Sequence, residues 1–205
     1  MTSALITAFE PYDRWEDNAS WEALVEFTSW YGGDVDLTTR RYPVELSAMS
    51  QSLRRDLTAG YDFAIHLGQS PIAGNVKLES VGLNLRTDGT PLIVGAAAAY
   101  HSPLPLRQLA GELNHASIPC TVSTHAGTYL CNAALYLSHH YTSMQGLPTE
   151  SMFVHLPLTP TQVAKQLAAG QNAELSSMST PMSAAAIGKI LQYLTSIDRP
   201  NRRSV

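Results

Sequence analysis

The chain has 205 residues, two cysteines, a net charge of −4 and only 15% charged residues. That length buries a sizeable core in one domain without a staple, and Cys120 and Cys131 form neither a secreted disulfide framework nor a zinc-type Cys/His spacing, so free thiols in a reducing cytoplasm are expected. An acidic balance without a basic stripe argues against nucleic acid or an anionic membrane as partner, and a charge content below the roughly 25% of ordinary globular chains fits a surface partly hidden in a homo-oligomer.

Met1 to Pro11 has no basic n-region and meets Glu10 and Pro11 too soon for a secretory leader, and no stretch reads as a membrane span. Ala4 to Phe9 reads as a short buried strand that ends at the turn-like Glu10-Pro11-Tyr12-Asp13. Asn18 or Ser20 caps a helix running to about Trp30, and Gly32-Gly33 ends it. Val35 to Tyr42 predicts a second strand. Pro43 opens a helix with Leu46, Met49, Leu53 and Leu57 on one face, stopped by Gly60. Asp62 to Gly68, a compact apolar run between turn residues, predicts a central strand.

From Val76 to Leu85 the chain reads as one strand, in which Val81, Leu83 and Leu85 alternate and the same parity puts Glu79 on the apolar face. A carboxylate there needs a partner. Thr87 to Ala99 reads as loop. Leu106, Leu109 and Leu113 then predict a helix, and Ile118 to Thr124 a strand with Cys120 in the core. Thr159-Pro160-Thr161-Gln162 has the pattern of a capping box, and a last helix starts at Thr180-Pro181 and runs to about Ile197, leaving 198–205 as a frayed tail. Strands alternate with helices throughout. That order predicts a single-domain α/β fold over 1–205, a three-layer α/β/α sandwich with a mainly parallel mixed sheet.

The stretch from Ser123 to Leu135 stands apart, because a β-prone run stops at a small glycine turn and resumes as a helical pattern at Cys131. A lone cysteine is more often a small buried hydrophobe than a catalyst. At a helix N-terminus, however, unpaired backbone N–H groups and the macrodipole favour thiolate over thiol. His155 closes the short apolar run Met152 to Pro157, and Phe9 and Gln69 also fall at predicted strand ends, where open α/β sheets form their sites. His66 reads as a core histidine, while His101, His115, His139 and His140 read as surface and His125 as a neighbour of the cysteine turn.

Ordered segments carry a more specific signal: Ala8-Phe9-Glu10-Pro11-Tyr12, Asn18-Ala19-Ser20-Trp21-Glu22-Ala23, Gly68-Gln69, Glu79 to Leu85, Ala126-Gly127-Thr128-Tyr129-Leu130-Cys131-Asn132 and Val154-His155-Leu156-Pro157. Together they resemble, over nearly the whole chain, the pyroglutamyl peptidase I family of cysteine peptidases, also called pyrrolidone-carboxylate peptidases. The resemblance implies Cys131 as nucleophile, His155 as acid and base, and Glu79 as the residue that orients the imidazole. It further implies Phe9 and Tyr12 flanking a lactam ring, main-chain groups at Gln69 bonding it, and Asn18 holding the pocket. No cofactor and no metal are implied. The expected substrates are N-terminal pyroglutamyl peptides or small lactam amides, and the expected assembly is a homo-dimer or tetramer.

The chain also departs from that family's pattern. The turn after Gln69 runs Ser70-Pro71-Ile72-Ala73-Gly74 in place of Ala-Gly-Gly-Arg, Tyr12 replaces a phenylalanine, and Ser80 replaces an arginine. The loop that supplies an oxyanion arginine is shortened to Leu85 to Pro91, leaving Arg86 as the candidate replacement donor. Losing one such donor costs about 10²- to 10³-fold in rate. Two rival readings follow: a cysteine amidohydrolase of the same fold with shifted acyl or lactam specificity, and a catalytically silent homologue that binds a lactam or peptide end.

Overall fold

The computed structural model describes residues 1–171 and 174–197, so the expected frayed tail at 198–205 lies outside the described residues. The elements follow in the order β1 (Ser3–Phe9), α1 (Ala19–Trp30), β2 (Asp36–Tyr42), α2 (Leu46–Leu57), β3 (Phe63–Gln69), β4 (Val76–Glu79), β5 (Val81–Leu83) and β6 (Ala99–His101). They continue as α3 (Leu106–His115), β7 (Cys120–Ser123), α4 (Leu130–Gln145), β8 (Glu150–Leu156), α5 (Pro160–Ala168) and α6 (Thr180–Ser196).

A six-stranded sheet in the order β2-β1-β3-β8-β4-β7 divides the molecule. Alternate residues of each strand feed two cores, as the period of two requires. Ile6, Ile65, Leu67 and Val154 pack beneath α1, α3 and α6, whereas Leu5, Ala64 and Phe153 pack beneath α2 and α4. The fold is therefore the three-layer α/β sandwich that the element order predicts. Strands β1, β2, β3 and β8 are mutually parallel. Strand β4 pairs antiparallel with β8 and parallel with β7, so β4 and β7 run against the other four.

The run Val76 to Leu85 is not one strand. At Ser80 the chain leaves the main sheet, and Val81–Leu83 pairs antiparallel with Ala99–His101 as a separate ribbon. Gly82 makes this crossing possible: a Cβ there would lie 2.7 Å from the Tyr136 backbone nitrogen, so β5 lies directly on α4. The shared parity of Glu79 with Val81 and Leu83 is accordingly lost, although Glu79 itself is buried. The same ribbon covers α4 from outside and buries His139, which the sequence reading places at the surface.

Helix starts differ in detail. Asn18 caps α1 as expected, its side chain accepting from Ser20 N. Pro43 does not open α2; Glu45 is its N-cap, with carboxylate oxygens accepting from Ser47 N and Ala48 N at 2.7 Å each. Thr159 and Gln162 form the expected reciprocal capping box on α5. Ser179, one residue before the expected start, caps α6. Among the described residues no helix is long and apolar enough to cross a membrane.

Candidate active site

Cys131 is the second residue of α4. The N-cap Tyr129 offers no side-chain cap, so the first-turn amides keep unpaired donors beside the thiol. Because β7 runs against β8, Cys131 does not arrive directly from a strand end on the common rim. The 124–129 loop carries it there, shaped by His125, whose amide bonds Ser123 Oγ at 3.2 Å and whose Nδ1 accepts from Gly127 N at 2.9 Å. His125 itself is exposed. Asn132, fully buried, fixes the helix start: its Oδ1 accepts from Leu83 N and its Nδ2 donates to Leu83 O and Leu85 O, at 2.8, 2.9 and 3.0 Å.

His155 lies opposite Lys77 in the antiparallel β8–β4 pairing, with Glu79 two residues further along β4. Residues two apart on a strand share a face, so the Glu79 carboxylate reaches the imidazole diagonally. Glu79 Oε1 lies 2.8 Å from His155 Nδ1, and both side chains are buried. Burial alone opposes charge on the imidazole, but the Cys131 sulfur and the Glu79 carboxylate override it and raise His155 to about 9. Burial also works against the Glu79 charge; the hydrogen bond to His155, with Ser123 and Lys77 nearby, nevertheless holds the carboxyl below its usual value. Thiol, imidazole and carboxylate thus stand in series, an arrangement able to form a nucleophile and move its proton.

Gly68 faces His155 in the parallel β3–β8 register. A Cβ at this position would lie 2.6 Å from the Phe153 ring and 3.1 Å from Cys131 Sγ, so only glycine lets the sulfur approach the sheet this closely. Beside it opens a cavity of about 70 Å³ lined by Phe9, Tyr12, Asn18, Gln69 and Cys131, with Val44, Tyr129 and Leu130 completing the wall. Phe9 is buried against Tyr42 and Phe153, with ring centroids 6.5 and 6.4 Å away. The Gln69 side chain belongs to the frame: its Oε1 accepts from Ala19 N and Gln162 Nε2, both at 2.8 Å, joining the starts of α1 and α5 to the end of β3. Asn18 donates to Glu10 O at 2.9 Å and ties the first turn to α1. Burial, with the nearby Cys131, pushes the Tyr12 hydroxyl up to about 12, so it remains protonated. Among the described residues no group of His, Cys, Asp or Glu is arranged to hold a metal.

The profile of the pyroglutamyl peptidase family matches residues 2–193. The chain belongs to the pyroglutamyl peptidase family. It is 30% identical over 179 residues to the pyrrolidone-carboxylate peptidase of Pyrococcus furiosus, covering 82% of this chain and 86% of that one. The corresponding protein of Pectobacterium atrosepticum is 31% identical over 206 residues, with 95% and 93% covered. A crystal structure of a mutant P. furiosus pyrrolidone carboxyl peptidase superposes with a TM-score of 0.88 at 28% identity, covering 96% of this chain and all of that one. The pyrrolidone carboxyl peptidase of Fervidobacterium islandicum AW-1 gives 0.87 at 29% identity, with 95% and 99% covered.

Within this pyroglutamyl peptidase fold, Arg86 is the candidate residue that does not join the others. It does not line the Cys131 cavity; its half-exposed guanidinium stands 3.9 Å from Asp88 beside a neighbouring cleft. The loop ends this way because Arg86 N bonds Thr90 O and Gly89 N bonds Arg86 O, a closed turn that holds the side chain on the far side of Tyr129 and Leu130. Val44, Gly68, Tyr129 and Leu130 contribute to the cavity without having been singled out for it in the sequence. The Gly68-Gln69 and Tyr129-Leu130-Cys131 segments held the signal, since neighbours of a site residue at a tight turn share its cavity.

Proposed function

We propose that this protein is a cysteine exopeptidase that hydrolyses the amide bond following an N-terminal pyroglutamyl residue. The observation that carries the reading is the small cavity that sets Cys131 against the Phe9 and Tyr12 rings and the Gly68-Gln69 backbone, beside the buried His155–Glu79 pair. A five-membered lactam has two flat faces, one N–H and one C=O. Aromatic walls suit its faces, and main-chain groups at Gln69 suit its polar edge.

In this mechanism the Cys131 sulfur, its proton held by His155, attacks the scissile carbonyl carbon. The carbonyl π electrons move to oxygen, and the oxyanion develops beside the Cys131 backbone N–H at the α4 N-terminus. Collapse of this intermediate breaks the C–N bond as imidazolium His155 gives its proton to the leaving nitrogen. A thioester remains on Cys131. Neutral His155 then takes a proton from water, hydroxide adds to the thioester, and pyroglutamate leaves as the sulfur regains its charge. Glu79 holds the imidazole in one orientation and stabilises its charged form throughout. Free thiols at Cys120 and Cys131 support action in a reducing, cytoplasmic setting.

Incubation with pyroglutamyl-7-amido-4-methylcoumarin tests the reading. Fluorophore release is expected from the reduced protein between about pH 6 and 9 and not from Cys131→Ala. The matching prolyl amide, which lacks the lactam carbonyl, is expected to be rejected by about 10⁴-fold. Absence of turnover by folded, reduced protein would overturn the substrate assignment.

A further inference from the structure

The Cys131 cavity has a neighbour across Tyr129 and Leu130. Tyr129 and Leu130 also line a second cavity of about 200 Å³, bounded by Leu46, Leu92 and Ala133. Leu46, Leu92 and Arg86 are in turn shared with a third, of about 280 Å³, which reaches Glu45 and Leu137. The three adjoin through these shared residues, between the start of α2, the 86–93 loop and the first turns of α4, as a groove interrupted at Tyr129 and Leu130. Its wall at Leu46, Leu92, Leu130 and Ala133 is apolar, and Arg86 is the cation common to the second and third cavities, with the Asp88 carboxylate also on the second.

That cation is available to a ligand. Among the described residues the Arg86 guanidinium makes no hydrogen bond, and its separation of 3.9 Å from Asp88 exceeds hydrogen-bond length. Asp88 is turned toward Thr90 instead, accepting from its amide at 3.0 Å and its hydroxyl at 2.5 Å. The loop backbone is fixed by the Arg86–Thr90 turn and by Thr87 Oγ1 donating to Thr128 O at 3.1 Å. The third cavity carries a carboxylate of its own. Glu45, held charged by the Ser47 and Ala48 amides, would repel a carboxylate placed further out.

Resting on the pyroglutamyl peptidase reading, we infer that this groove receives the leaving-group side of the substrate and selects pyroglutamyl dipeptides with an apolar second residue. The side chain of that residue fills the space between Leu46, Leu92 and Ala133, and its free α-carboxylate pairs with Arg86. A guanidinium and a carboxylate match as planar partners, which makes Arg86 a specificity residue on the leaving-group side and separates it from the oxyanion.

Calorimetric binding of pyroglutamyl-leucine and pyroglutamyl-leucine amide to Cys131→Ala tests the assignment without requiring turnover. The acid is expected to bind about tenfold more tightly than the amide, and this ratio is expected to fall toward one in Cys131→Ala/Arg86→Gln and at high salt. Equal affinities in the single variant, no binding of either ligand, or a ratio unaffected by Arg86→Gln would overturn it. A parallel assay in the Cys131 protein separates the oxyanion alternative. Arg86→Gln is expected to raise KM for the acid selectively, whereas an equal loss of kcat on acid, amide and coumarin substrates would assign Arg86 to the oxyanion and overturn the groove. If the wild-type protein left every pyroglutamyl amide intact, the peptidase reading would fall, and the two binding ratios would still decide the groove.

Discussion

Glu79 Oε1 and His155 Nδ1 lie 2.8 Å apart across the antiparallel β4–β8 pairing, with both side chains buried. The pair makes the imidazole easier to charge than burial alone would allow, and His155 is raised to about 9. In the proposed mechanism imidazolium is the form that protonates the leaving nitrogen, so kcat/KM should hold up to that region and fall as pH rises through about 9. The stability His155 gains from its partners is complete below its unfolded value of about 6.5 and is lost over the same rise. Glu79→Gln removes the negative partner while keeping the shape. A loss of about 10²- to 10⁴-fold in kcat is expected, with the alkaline limb moved down by about one unit or more. A variant with an unmoved limb would show that Glu79 only packs against the histidine.

The two cysteines should differ sharply in reactivity. Cys120 is buried in the core beneath α3, and burial pushes its thiol up to about 12. Cys131 is half-buried, opens on the cavity lined by Phe9 and Tyr12 and stands at a helix N-terminus beside His155. Since thiolate is the species that alkylates, iodoacetamide near neutral pH should modify Cys131 first, leaving Cys120 intact until the protein unfolds. Peptide mass mapping after limited labelling reads this directly. Comparable modification of both residues would argue against an activated thiol.

Much of this architecture is legible in local sequence. The cysteine turn, the Thr159–Gln162 capping box and the alternating core residues of β1, β3 and β8 are each set by neighbours a few positions apart. What escapes the sequence is non-local. Nothing within Val76–Glu79 dictates that it runs against β8, and the three-residue strands β5 and β6 are too short to carry a period. His139 reads as surface because part of its cover, Tyr100 of the β5–β6 ribbon, comes from a distant stretch of the chain. Arg86 is legible as a cation near the site, but its orientation depends on the Thr90 and Thr128 hydrogen bonds, which the residue types alone do not reveal.

Gly68→Ala tests how tightly the sulfur is seated. The added methyl would meet the Phe153 ring at 2.6 Å, and that ring is fully buried between Phe9 and His155, with the His155 centroid 4.9 Å away. Overpacking of this kind costs about 1–3 kcal/mol, which should lower the thermal midpoint by several degrees. Because displacement of Phe153 also shifts His155, turnover should fall further than the stability loss alone requires. An unchanged midpoint would mean that the backbone around Gly68 yields without strain.

Two further histidines should make the fold acid-labile. His66 is fully buried, its Nδ1 2.8 Å from Thr7 Oγ1, while Nε2 of both His66 and His139 is buried with no hydrogen-bond partner among the described residues. Protonation would leave an unmet donor on each ring and a charge in the core. Burial, with a smaller contribution from a neighbouring histidine in each case, lowers His66 to about 3 and His139 to about 4. Unfolded histidine takes its proton near pH 6.5, so between about 6.5 and these native values the unfolded chain binds more protons. The stability that depends on these two histidines is therefore complete above about pH 6.5 and declines as pH falls below it, by roughly 2 kcal/mol for each residue at pH 5. His155 is protonated in both states at pH 5 and does not offset the slope there. Urea unfolding at pH 6.5 and pH 5 should show the decline, and His139→Gln should remove about half of it. An equal pH dependence in the variant would assign the acid sensitivity to other groups.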